Sequence, residues 1–311
     1  MEKRQISLPS IILMLFLITF WGSSFVVVKA ILGEGLTPIA IATFRFLLAG
    51  CLFLIVLFLN KIRDRDYGVL VERGDVPTLI VLAFSGVTLF FTVQYTGIQM
   101  ANASVASILV CLLSPVLISL FSIYIFKEPL SKVQLLGIAT ASLGTLAVIL
   151  GGTQNLEGNM VFLLGSLILL FTPLLWTTYT LLGRNISRKY DPFLVVAYVN
   201  ILGGIFLIPF SLAEGSFLNI FDLTSQEWLA ILYLSSTCSL LGYFIWFYVM
   251  RRSTAAATSS FLFAEPIITV LFAAFLIGEE VTAFAVGGGL LIFIGVFLVT
   301  ARRRTKLPQK N

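Results

Sequence analysis

The stretch "SSFLFAEPIITVLFAAFLIG", residues 259–278, holds one side chain able to ionise, Glu265, with Pro266 directly behind it. An ionised acid in so apolar a run costs about 2.5–3.5 kcal/mol on membrane-insertion scales, and such groups face a cavity or a partner. Two chemistries fit the carboxyl: binding a cationic group, or taking up and releasing a proton. A third role is structural. Pro266 has no N–H, so the carbonyl of Leu262 loses its helical partner, and a protonated Glu265 can donate to it. Ser114, ahead of Pro115, supports the structural role, since its hydroxyl can bond back to the carbonyl of Val110 in the same way. Arg45 is the matching charge of opposite sign. It can pair with Glu265, hold a substrate carboxylate through two parallel N–H donors, or reach loop carbonyls near the surface. Lys29 lies near the end of its apolar run, where a long side chain snorkels to water.

Polar and aromatic residues are interleaved at four further places. Thr19, Ser23 and Ser24 surround Trp21, while Thr177, Tyr179 and Thr180 follow Trp176. Gln94 adjoins Tyr95, and Tyr243 lies three residues before Trp246. Aromatic walls with a few polar groups suit an amphipathic small molecule, whereas Trp and Tyr also form interfacial belts. The chain has no histidine, which removes Ser-His catalysis, histidine-ligated zinc and HExxH proteases. Cys51, Cys111 and Cys238 are far apart and form no metal pattern, so neither metal nor cofactor is expected. An intramembrane enzyme built on two carboxylates lacks its second acid.

The elements that must position these residues follow from the hydropathy. Of 311 residues, 59% are hydrophobic and 11% charged, against about 25% charged in soluble domains. The apolar excess comes in ten blocks, near 11–32, 37–59, 76–98, 103–126, 132–151, 159–182, 191–212, 227–249, 254–277 and 281–300. Each approaches the roughly 20 residues a helix needs to cross a bilayer core, and none shows the alternation of a membrane β-barrel. The first block contains Lys29 and precedes nine others like it, so it reads as a helix and not a signal peptide. With the N-terminus cytoplasmic, eighteen of the twenty Lys and Arg fall on inside segments and none on outside loops. This satisfies the positive-inside rule, so the net charge of +5 reflects topology and not nucleic-acid binding. A basic tail, 301–311, lies on the cytoplasmic side.

The chain also repeats itself. "SPVLISLFSIYIFKE" (114–128) aligns without a gap on "EPIITVLFAAFLIGE" (265–279), placing Pro115 on Pro266 and Glu128 on Glu279. The same shift places Gly137 on Gly288 and Gly144 on Gly295, and a nearby one places Pro38 on Pro192. Two five-helix units result, 11–151 and 159–300. An odd number of crossings inverts the second against the first, an arrangement recurrent in transporters, whose ligand sites lie where matching helices are interrupted. The glycines form small-residue faces that let helices approach closely, either between the fifth and tenth helices or at a dimer seam.

"WGSSFVVVKAIL" with the following proline and arginine, and the paired "SPVLISLFSIYIFKEPLSKVQLLGIATASLG" and "EPIITVLFAAFLIGEEVTAFAVGGGLLIFIG", resemble the EamA family of the drug/metabolite transporter superfamily. The resemblance covers nearly the whole chain. It implies an all-α membrane protein of ten helices with both termini cytoplasmic, a central cavity and alternating access. It also implies traffic of small metabolites across the cell membrane, usually export, amino acids being one common class. The expected partners are a small-molecule substrate, the lipid bilayer and, if Glu265 cycles, protons; the chain acts as monomer or homodimer. A channel-like passive facilitator is the alternative.

Overall fold

The computed structural model describes residues 8–126, 132–151, 159–252, 258 and 260–301. Residues 302–311 of the basic tail, and Glu128 of the repeat, lie outside the described residues. Helices account for all regular structure among the described residues. We label them α1 (Leu8–Gly33), α2 (Pro38–Arg63), α3 (Arg73–Met100), α4 (103–126), α5 (Lys132–Gly151), α6 (159–189), α7 (Pro192–Glu214), α8 (Ser225–Arg252), α9 (260–276) and α10 (Ala283–Ala301). Among the described residues, six stretches, in α1, α2, α3, α6, α7 and α8, are long and apolar enough to cross a membrane. Those in α4, α5, α9 and α10 are shorter apolar helices. The protein is therefore a multi-pass, all-helical membrane protein.

Local sequence explains the starts and stops. Thr37 caps α2 by accepting from the backbone N–H of Ala40, and Pro38 fills the first turn, where no N–H is needed. Asp191 and Pro192 do the same for α7. Thr224 and Glu227 form a reciprocal capping box at the start of α8. Gly215, at φ +78°, closes α7 in a left-handed conformation. Several helices outrun their apolar blocks, α2 among them, which continues to Arg63. α6 continues to Lys189 and α8 to Arg252, so stretches expected as loops, 183–190 and 250–253, are largely helical. Their basic residues sit in the last turn, where cations favour the helix dipole.

Lys29, near the end of α1, has protein partners as well as the water its place predicts. Besides its partial exposure, its ammonium donates to the carbonyls of Ile98 (2.9 Å), Gln99 (3.3 Å) and Ala101 (2.7 Å), closing the C-terminal end of α3. Glu279 performs the converse at the start of α4. Its two oxygens accept from the backbone N–H groups of Ala103 (3.0 Å) and Ser104 (2.9 Å), where the helix dipole favours an anion.

Packing joins the front of the chain to its back. α5 lies along α10, α2 along α7, α1 along α9, and the second half of α3 along the first half of α6. In the α5–α10 seam, a Cβ added to Gly144 would lie 2.6 Å from the Gly288 carbonyl oxygen, and one on Gly295 2.5 Å from that of Gly137. α1 and α9 also meet closely at Gly22, where a Cβ would lie 2.9 Å from that of Ile268 and whose carbonyl accepts from Thr269 at 2.9 Å.

The helices depart from α geometry at several places: α3 opens on a 3-10 turn, Arg73–Asp75, and α6 is broken at 170–171 into Asn159–Leu169 and Thr172–Lys189. π-helical turns occupy Phe84–Leu89 in α3, Ile108–Leu112 in α4 and Leu234–Leu241 in α8. α9 opens with a 3-10 turn, Ser260–Ala264, before the α-helix Glu265–Leu276. Pro266 therefore sits in a first turn and not in a helix interior, which removes the conflict its missing N–H would create.

Candidate functional site

The irregular turns surround the site. The π turn of α8 leaves the Cys238 carbonyl free to accept from the Trp21 indole N–H at 3.0 Å. It also brings two serines to Arg45. Ser239 accepts from Arg45 Nε at 2.8 Å, and Ser235 donates to the Arg45 carbonyl at 2.9 Å. The Tyr95 hydroxyl accepts from Arg45 Nη1 at 2.5 Å, and the guanidinium lies 4.6 Å from the centre of the Phe91 ring. Arg45 is thus 2% exposed with neutral partners. Among the described residues it forms no ion pair with Glu265 and makes no hydrogen bond to a loop carbonyl. Glu265 is 3% exposed at the head of its helix, and shares the cavity wall with Cys111 on the π turn of α4. Ser114, one turn on, donates to the Val110 carbonyl at 2.5 Å.

Both charges border one central cavity, with Trp21, Ser24, Gln94, Ser114, Trp176 and Tyr243. Its remaining lining comes from Phe25, Phe90, Phe91, Val110, Cys111 and Leu262. The Ser24 hydroxyl is turned back to the Trp21 carbonyl at 2.6 Å. Tyr95, Tyr179 and Trp246 stand behind the wall. Tyr95 holds Arg45, while Trp246 lies 5.5 Å from Trp21 and 5.4 Å from Trp176 between ring centres. Tyr179 lies 5.4 Å from Trp176 and 5.8 Å from Tyr243. Pro115 and Pro266 lie in the backbone next to Ser114 and Glu265. Gly137, Gly144, Gly288 and Gly295 lie away from the cavity, in the α5–α10 seam. A second, apolar groove lies on the outer face of α9 and α10, lined by Pro266, Ile267, Leu271 and Phe293 among others.

The apolar lining residues carried no chemical signal in the sequence. Phe90 and Phe91 could have been found one turn ahead of Gln94 and Tyr95. Val110, Cys111 and Leu262 are placed by the helix breaks alone. The cavity has about 50 Å³ of space, room for a few waters and far below the roughly 300–1,000 Å³ of an open small-molecule pocket. Among the described residues, no cluster of His, Cys, Asp or Glu could hold a metal ion.

Comparison with known proteins places the chain among transporters. The profile of the EamA-like transporter family matches residues 8–150 and again 163–301. An "Uncharacterized transporter" of Archaeoglobus fulgidus is 31% identical over 283 residues, covering 91% of this chain and 94% of the relative. A "Probable amino-acid metabolite efflux pump" of Salmonella typhimurium is 26% identical, over 92% of this chain and 93% of the relative. A crystal structure 18% identical in sequence superposes with a TM-score of 0.65, over 96% of this chain and 99% of that one. At that identity the match speaks for the fold alone.

Proposed function

Because the chain belongs to the EamA-like transporter family, we propose that it is a secondary transporter exporting small amphipathic metabolites, amino acids among them, across the cell membrane. It works by alternating access, as a uniporter or proton-coupled exchanger. The observation that carries this reading is the pairing of Arg45 and Glu265 on one aromatic cavity without an ion pair between them. A buried guanidinium with only neutral partners is completed by a substrate carboxylate. Glu265, across the same space, can receive an ammonium group or a proton. The name of the Salmonella typhimurium relative supports the same substrate class.

We read all ten helices as crossings, with both termini in the cytoplasm and the two halves, 11–151 and 159–300, inverted against each other. Two structural facts support this. Exchanging the first five helices for the last five turns the α1–α9 packing into α6–α4, and α3–α6 into α8–α1, and both of those contacts are present. Shifted by the 151 residues of the repeat, the π turn 84–89 falls inside Leu234–Leu241, and 108–112 falls on the irregular start of α9. Matching interruptions in inverted halves mark a midplane ligand site. A passive pore is the second reading, and the little free space in the cavity does not favour it. Neither reading involves catalysis, in keeping with the family.

The test is counterflow in proteoliposomes loaded with a mixture of amino acids, with and without a pH gradient, comparing the wild type with Glu265→Gln. Saturable exchange supports the transporter, whereas flux without saturation or counterflow indicates the pore. Loss of pH-driven uphill movement in Glu265→Gln with exchange retained makes Glu265 the proton site. Unchanged behaviour in both modes makes it a helix cap.

A further inference from the structure

Eight buried side-chain polar atoms have no hydrogen-bond partner among the described residues. Four lie on the second piece of α6, Thr172–Lys189: Trp176 Nε1, Tyr179 Oη, Thr180 Oγ1 and Ser187 Oγ. A fifth, Trp246 Nε1, belongs to the ring packed on Trp176. Ser104, Ser166 and Asn200 supply the rest and lie elsewhere, at the start of α4, on the first piece of α6 and on α7. Positions 176, 179, 180, 183 and 187 share one face of a helix. That face runs from the central cavity, which Trp176 lines, to the basic end at Arg188 and Lys189.

The missing partners are not forced by the helix. On the same α6, Thr177 bonds the carbonyl of Pro173 at 2.7 Å and Thr178 that of Leu174 at 3.1 Å. Thr180 and Ser187 have the same local option and leave it unused, although both are fully buried. Unpartnered buried hydroxyls are costly, and each calls for a reason. Rings cover this face. Phe247 packs 5.3 Å from Tyr179 and against Gly183, where a Cβ would lie 2.6 Å from the ring. At the end of the face, Lys189 binds Glu72 (2.6 Å) and Asp75 (2.7 Å) at the start of α3. Tyr190 donates to the same Asp75 at 2.6 Å.

We infer that this face of α6 lines the cytoplasmic half of the substrate path, closed here by the rings of Tyr179, Trp246 and Phe247 and clasped at its mouth by Lys189. In the open state, water and the polar end of the substrate supply the partners missing in the closed one. Rings and hydroxyls alternate along the face, which suits a solute with an apolar body and a hydrogen-bonding end. The inference rests on the transporter reading above, with the 183–190 end in the cytoplasm.

The test adds Thr180→Cys or Ser187→Cys, and Thr178→Cys on the exposed side of the helix as control, to a Cys51→Ser parent whose own labelling is subtracted. A membrane-impermeant maleimide is applied from the cytoplasmic side, with and without an equimolar amino-acid mixture opposite, and counterflow is measured on the same vesicles. Labelling at 180 and 187 is expected to rise about tenfold or more with the mixture, as an open state held at about 10% or less becomes a main one, while Thr178→Cys stays unlabelled. Exchange with no labelling at 180 or 187 above the control overturns the path and leaves the transporter standing. Labelling without exchange keeps the path and overturns the transporter reading for this substrate class; neither signal overturns both. As a second variant, Thr180→Val keeps the shape and removes the hydroxyl. It is expected to slow exchange without lowering thermal stability, and an unchanged exchange rate in a folded variant counts against the path.

Discussion

Arg45 and Glu265 are the two charges on the central cavity, and on the proposed reading each carries a distinct prediction. Arg45→Lys keeps the charge and loses the planar fork that reaches Tyr95 and Ser239 together. Hydrogen bonds to charged groups are worth about 1.5–3 kcal/mol, so substrate affinity should fall about ten- to hundredfold, read as a raised half-saturation in counterflow. Glu265→Gln should abolish the response to a pH gradient while exchange persists. Both residues were visible in the sequence because a charge in an apolar run has no cheap explanation. Their surroundings were not. Phe91 beneath the guanidinium and Cys111 beside the carboxyl have the side chains of an ordinary core, and only their place in space sets them apart. Ser239 was hidden for a related reason. A serine in a membrane helix satisfies itself on its own backbone, and nothing in the sequence says that this one turns to Arg45.

Among the elements, the α5–α10 seam and the helix caps offer the sharpest tests. Gly144→Ala drives a methyl to 2.6 Å from a backbone oxygen that has no free direction in which to move. Such overpacking costs about 1–3 kcal/mol, seen as a lower midpoint of thermal unfolding in detergent. Gly287→Ala, with nothing within 4 Å, should leave the midpoint unchanged. Glu279→Gln keeps an acceptor at the start of α4 and removes the charge, with an expected loss of about 0.3–1 kcal/mol from the dipole interaction. Helix starts could have been sharpened by Thr37-Pro38, Asp191-Pro192 and the Thr224–Glu227 box, cap signals that hydropathy alone does not use. The π turns were not legible, since their residues, such as Ile108–Leu112, are good α-helix formers as written. Packing against neighbouring helices selects the wider turn. The ends of α6 and α8 were set too early because hydropathy marks the hydrocarbon boundary, while a helix continues into water as long as its last turn carries favourable charge.

For the whole molecule, the clasp of Lys189 on Glu72 and Asp75 ties the end of α6 to the start of α3. The pairs are exposed, so they are screened by salt and individually weak. Lys189→Ala should therefore raise cytoplasmic-side labelling at position 187 a few fold at most, and the wild type should approach the mutant at high ionic strength. The order of apolar blocks made the all-helical, multi-pass architecture legible. The way the helices interleave was not, because lipid-facing and protein-facing surfaces are equally apolar. One feature of the core also has a practical use. Of the four tryptophans, Trp21, Trp176 and Trp246 stand about the central cavity with ring centres 5.4–5.5 Å apart. The fourth, Trp228, is 41% exposed. Three coupled chromophores therefore watch the central cavity without any label. A solute parting their rings would alter near-ultraviolet dichroism and indole emission together, and a stopped-flow trace of the native chain would time each opening as it happens.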